Sequence, residues 1–89
     1  MTRDTLAAAA DTLDTAAEAA TDDARDRLES QAAEFETLAE ADRGPDHGKL
    51  ARHEHILTDI ADDEGGEVAD HVDEALESIR AYRETVEGV

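Results

Sequence analysis

Apolar residues recur at spacings of three and four along almost the whole chain, in four blocks. Residues 4–20 carry Leu6, Ala9, Ala10, Leu13, Ala16, Ala17 and Ala20. Residues 23–41 carry Ala24, Leu28, Ala32, Phe35, Leu38 and Ala39. Residues 47–62 carry Leu50, His53, Ile56, Leu57, Ile60 and Ala61, and residues 67–87 carry Val68, Val72, Ala75, Leu76, Ile79, Tyr82 and Val86. Such spacing puts one apolar stripe on each of four helices. The breaks have different strengths. Gly44-Pro45 ends a helix: proline cannot continue one, and Gly44 suits the left-handed position past a helix end. Asp62-Asp63-Glu64-Gly65-Gly66 is a second break, and Gly88 ends the last block. Thr21-Asp22-Asp23 alone is ambiguous, since it reads equally as a turn or as part of one long first helix.

A repeat resolves that ambiguity. Shifted by 44 positions, Leu6 falls on Leu50, Leu13 on Leu57, Ala17 on Ala61 and Ala24 on Val68. Leu28 falls on Val72, Ala32 on Leu76, Phe35 on Ile79, Leu38 on Tyr82 and Gly44 on Gly88. Thr21-Asp22 falls on Gly65-Gly66, which favours a turn near residue 21. The fold expected is all-α: one domain, an antiparallel four-helix bundle built from two helical hairpins, 4–41 and 47–87, around a central loop at 42–48. The first helix is rich in alanine, so a neighbour could approach it closely, and pairing with a second chain along it is an alternative to a closed monomer.

Composition narrows the setting. The 89 residues include one Phe, one Tyr, no Trp and no Cys, so the core is aliphatic and has no disulfide or thiolate metal site to support it. Against 25 Asp and Glu stand 8 Lys and Arg, a net charge of −17. That excludes binding nucleic acid or an anionic membrane through clustered cations. A strongly acidic chain can be disordered, but the strict periodicity favours a folded protein adapted to high salt, where a Debye length of about 3 Å at 1 M screens self-repulsion. The fold is expected to need such salt. No stretch reaches the roughly 20 apolar residues of a membrane span and the N-terminus has no apolar signal region, so the expected location is cytoplasmic.

Candidate chemistry is sparse. His53-Glu54-His55 resembles a metal cluster, but helical residues two apart point about 200° from each other. His53 and His71, on paired helices, are offset by about 9 Å along the axis. Glu67 and His71 could hold an ion weakly, and His53 reads otherwise as a core-edge histidine bonded to a Glu of the neighbouring helix. Ser30 and Ser78 sit on polar faces in no nucleophile motif. No catalytic residue, metal site or cofactor is expected, and the chain reads as a non-enzyme.

The cations are more informative. In an up-down-up-down bundle Arg3, Arg43, Lys49, Arg52, Arg80 and Arg83 gather toward one end with His47 and Tyr82, while only Arg25 and Arg27 lie near the other. That arrangement is either local neutralisation by neighbouring carboxylates or a recognition end. The candidate partner-binding residues are Arg43, Asp46, His47, Arg52, Tyr82 and Arg83.

The run Ala41-Asp42-Arg43-Gly44-Pro45-Asp46-His47-Gly48, followed by Leu50-Ala51-Arg52, and the tail Ala81-Tyr82-Arg83-Glu84-Thr85-Val86-Glu87-Gly88-Val89 resemble a family of small acidic haloarchaeal proteins of unknown function. The resemblance covers most of the chain. It implies an all-α fold in a salt-adapted archaeal cytoplasm, and it brings no activity or site residues. The expected role is a protein-interaction module whose partner is an unknown protein or a second copy of itself. The alternatives are a structural, self-associating helical protein and a weak metal-binding bundle using His53, His71 and nearby Glu.

Overall fold

The computed structural model describes residues 3–86. Four helices form, α1 (Asp4–Ala19), α2 (Asp22–Glu40), α3 (His47–Glu64) and α4 (Gly66–Arg83), with no strand among the described residues. They close a four-helix bundle. Its core is the stripe read from the sequence: Leu6, Leu13, Leu28, Phe35, Leu50, Leu57, Ile60, Val72 and Ile79 are fully buried.

The turn at residue 21 is present. Ala20 and Thr21 are extended, and Asp22 enters α2 with φ +52°, a left-handed conformation that side chains other than glycine seldom adopt. Its counterpart in the repeat, Gly66, has φ +54°. The second helix of each hairpin thus starts from a left-handed residue, once an aspartate and once a glycine, although the residue before it differs: Thr21 is extended at φ −132° and Gly65 has φ +61°.

Two helix ends move by two residues or more, and one glycine departs from its expected role. Helix α3 continues through Asp62, Asp63 and Glu64, because nothing in that acidic run breaks a helix until Gly65 at φ +61°. Helix α4 stops at Arg83, not at residue 87; Thr85 N–H donates to the Tyr82 carbonyl and Val86 N–H to that of Arg83, tightening the chain into turns. Gly44 does not take the left-handed position expected of it. Helix α2 ends at Glu40 with Ala41 extended, and the positive-φ glycines are Gly65 and Gly66. What Gly44 supplies is room: a Cβ there would stand 2.6 Å from Tyr82 Oη and 2.9 Å from Arg3 Nε. The proposed counterpart Gly88 lies outside the described residues.

The helices are not evenly spaced. Helix α1 packs closely against both α2 and α4, and α3 against α4, whereas α2 and α3 barely approach each other. The two-hairpin repeat equates the tight α1–α4 seam with the open α2–α3 seam. Side-chain volume accounts for the difference. The repeat sets Ala9 against His53, Ala16 against Ile60, and Ala75 of α4 against Gln31 of α2. Alanines let backbones close up; a histidine, an isoleucine and a glutamine hold them apart. Helix α1 is thus held closely between α2 and α4, with Ala9, Ala10, Ala16 and Ala17 at 0–4% exposure inside the monomer. Its alanine stripe leaves no apolar seam free for a second chain.

Candidate functional site

Two helix ends near the chain's reversals are capped from a distance by arginine. Neither α1 nor α2 has a basic residue in its last turn. Arg25 instead donates from Nε to the Ala17 carbonyl (3.1 Å) and from Nη2 to Glu18 (3.4 Å). Arg3 donates from Nη1 to Leu38 (3.2 Å) and Ala41 (2.6 Å). Both guanidinium groups serve carbonyls in or just past a helix's last turn, at the negative end of the helix dipole; that of Ala17 also accepts from Ala20 N–H at 3.1 Å.

At the end of the bundle where Arg3, Gly44 and Tyr82 meet, most of the expected partner-binding residues bond within the fold. Asp46 is the N-cap of α3, its Oδ1 accepting from Lys49 N–H at 2.8 Å. His47 accepts at Nδ1 from Arg83 Nε (3.1 Å), and its Nε2 lies 3.3 Å from the Val86 carbonyl. Tyr82 lays its hydroxyl over Gly44 beside Arg3. Arg83 also donates from Nη1 to Glu54 Oε2 at 2.7 Å, and Arg80 Nε donates to Glu54 Oε1 at 3.2 Å. The Glu54 side chain is only 13% exposed, so one half-buried carboxylate ties α3 to α4 through two arginines. Arg43 and Arg52 stand apart from this network: both are exposed, and neither has a side-chain partner among the described residues.

The sequence reading missed Glu54, although the repeat marks it. The 44-residue shift sets Glu54 on Ala10 and Arg83 on Ala39, both buried alanines. A carboxylate and a guanidinium replacing two alanines at paired positions is the pattern of an ion pair. It is tolerated in the second hairpin because α3, unlike α1, has solvent on that side.

His53 is 6% exposed and lies between α2 and α3. Its Nδ1 is 2.8 Å from Gln31 Oε1, its Nε2 is 3.4 Å from Glu34 Oε2, and its ring meets Phe35 edge-on at 5.1 Å. The expected core-edge histidine is present, but its hydrogen bond across the seam is to Gln31, with the Glu34 carboxylate at ion-pair distance beyond it. Burial pushes its pKa below the ordinary histidine value; Glu34 opposes this, and the positive charges of Lys49 and Arg52 add to it. His71 pairs with Glu67 of its own helix at 3.7 Å, and the exposed His55 with Asp59 at 3.6 Å. Among the described residues, no three His, Asp or Glu side chains converge as a metal site would need.

The open α2–α3 seam carries two shallow hollows that meet at Ser30. One, of about 390 Å³, is lined by Ala33, Glu34, Thr37, Leu38 and Lys49; the other, of about 300 Å³, by Asp26, Arg27, Gln31 and Ile56. A larger hollow between α1 and α2 is lined by Asp14, Glu18, Arg25 and Glu29, and its one cation is already committed to capping α1. No helix among the described residues is long and apolar enough to cross a membrane.

Residues 1–85 match the model of a family of unknown function, DUF7553. The chain belongs to that family. No match to a curated protein or to a solved structure was found. The DUF7553 assignment spans both hairpins, so the arginine caps, the Glu54 pair and the open seam all fall inside the family's domain.

Proposed function

We propose that the chain is a non-enzymatic protein-interaction module of a salt-adapted cytoplasm, and that it recognises a partner presenting carboxylates at the open α2–α3 side of the bundle. One observation carries this reading. Of the eight Lys and Arg residues, Arg3, Arg25, Arg80 and Arg83 are bonded within the fold. The other four, Arg27, Arg43, Lys49 and Arg52, have no side-chain partner among the described residues; three of them lie along the α2–α3 side and the fourth is in the loop that joins those helices. Arg27 and Lys49 line the seam, Arg52 is close enough for its charge to act on His53 in that seam, and Arg43 is in the connecting loop. A chain of net charge −17 that keeps its unengaged cations on one side has a surface suited to an acidic group, with arginine forks as hydrogen-bond donors.

This revises which residues would meet a partner. Asp46, His47, Tyr82 and Arg83 shape the end of the bundle, and Arg43 and Arg52, joined by Lys49 and Arg27, face outward. The test is affinity capture from a lysate kept in molar KCl, with the intact chain and the Arg43→Ala/Arg52→Ala variant as baits. Both substituted side chains are solvent-exposed, so helicity by circular dichroism is expected to be unchanged. Bound protein is expected to fall several-fold with the variant; equal capture by both baits refutes the reading.

A further inference from the structure

Helix α3 carries an outward stripe that none of the internal bonds explains. Lys49, Arg52, Ile56, Asp59 and Asp63 follow one another at spacings of three, four, three and four. At about 100° per residue they fall within a sector of roughly 80°. Lys49, Arg52, Asp59 and Asp63 are exposed and Ile56 is half-buried. Lys49 and Ile56 line the two hollows of the open seam, so the stripe runs along its edge. Its layout is bipolar: two cations toward the N-terminus, an isoleucine at the middle, two carboxylates toward the C-terminus. Seven residues separate Ile56 from Lys49 on one side and from Asp63 on the other.

A stripe with this layout is complementary to itself turned end for end. We infer that the occupant of the open seam is a second copy of this chain, its α3 packed antiparallel to the first about a two-fold axis near Ile56, with Lys49 and Arg52 of each copy facing Asp63 and Asp59 of the other. This rests on the interaction reading above and names its partner. The symmetry is that of an isologous interface, in which each residue pair occurs twice. The acidic half of the stripe supplies the carboxylates that the cationic half lacks within its own monomer; the one ion pair there, His55 with Asp59, is exposed and long at 3.6 Å. The α2 side adds like elements at the same edge, with Asp26 and Arg27 adjoining Ile56 and Glu34 adjoining Lys49.

Salt gives the association a distinctive sign. Two bodies of −17 repel at long range. At molar KCl that repulsion is screened beyond about 3 Å, while ion pairs in contact and the apolar centre persist. Pairing is therefore expected to strengthen as KCl rises, the reverse of an interface held by ion pairs between oppositely charged bodies.

The experiment is sedimentation equilibrium in molar KCl on the full chain, with two stripe variants. Lys49→Asp/Arg52→Asp makes the stripe wholly acidic, and Asp59→Lys/Asp63→Lys makes it wholly basic. The wild type is expected to form a dimer. Each variant alone should self-associate about tenfold or more weakly, since every exposed pair is worth up to about 1 kcal/mol and each occurs twice. An equimolar mixture of the two should form the heterodimer. A wild type that stays monomeric, or variants that associate as tightly alone as the wild type does, overturns the inference. Helicity of each variant is checked by circular dichroism; if one loses it, the single change Arg52→Glu at an exposed position is read in its place, with the same expected direction. A monomeric wild type that still captures protein through Arg43 and Arg52 removes the self-pairing and leaves the acidic-partner reading standing. Loss of both removes both.

Discussion

Glu54 offers the sharpest test of how the second hairpin is held. Its half-buried carboxylate accepts 2.7 Å and 3.2 Å hydrogen bonds from Arg83 and Arg80, and Arg83 in turn donates to His47. Glu54→Ala removes both charge-assisted bonds. Each is worth about 1.5–3 kcal/mol between fully desolvated groups, but the Arg80 side chain is 59% exposed and that of Arg83 36%, so both guanidinium groups regain water when the carboxylate goes. Discounted for that solvation, the loss is about 1–2 kcal/mol. For a domain of this size that lowers Tm by roughly 5–15 °C. The repeat supplies the control, because positions 10 and 39 of the first hairpin are both alanine. The double variant Glu54→Ala/Arg83→Ala reproduces that apolar pair. Thermal unfolding in molar KCl, followed by circular dichroism on wild type, both single variants and the double, completes a double-mutant cycle. The two single losses are expected to exceed the double loss by about 1 kcal/mol. Additive losses would show that the Glu54–Arg83 bond contributes nothing to stability, and the account of this ion pair would fail.

Two further outcomes follow from buried or strained positions. His53 takes up its proton less readily folded than unfolded, so its contribution is intact above the unfolded histidine pKa of about 6.5 and is lost as pH falls below that value toward the lower folded pKa. The Tm difference between wild type and His53→Leu, measured from pH 8 to 5.5, should shift in favour of the variant at the acidic end; a difference constant across that range contradicts the burial argument. Asp22 holds φ +52° where its repeat partner is Gly66. Asp22→Gly should therefore leave Tm unchanged or raise it, whereas Asp22→Val should cost about 1–2 kcal/mol, since a β-branched residue is strongly disfavoured in the left-handed region. Equal stabilities for the two variants would show that the turn does not depend on that conformation.

Much of the architecture was legible because burial follows periodicity. The positions matched by the 44-residue shift, from Leu6 and Leu50 to Phe35 and Ile79, are core residues in both hairpins except Ala24, which is half-buried against the core, and the weak break at Thr21-Asp22 was recovered from the strong one at Gly65-Gly66. The boundaries at residues 62 and 87 were less legible. Acidic residues do not end a helix, and what ends α4 is a pair of turn hydrogen bonds rather than a breaker residue. Of the candidate site, the end itself was legible, because topology alone brings the N-terminal arm, the central loop and the end of α4 together. The roles were not. A histidine or tyrosine in a sequence has no direction, and His47 and Tyr82 turn inward to Arg83 and Gly44.

The sequence by itself determined four helices, two equivalent hairpins, an aliphatic core and the clustering of cations toward one end. These depend on residue type and spacing, which a linear chain carries in full. Only the tertiary structure decided that the two hairpins are unlike in use. Packing the same pattern twice around one core set alanine-faced α1 closely between α2 and α4 and left the α2–α3 seam, wedged by His53 and Gln31, open on the outside. It also decided which cations are engaged. Arg3 and Arg25 reach helix ends that are 35 or more and 7 to 8 residues away in sequence. Such pairings are set by where chain ends meet in space, and no local pattern records them.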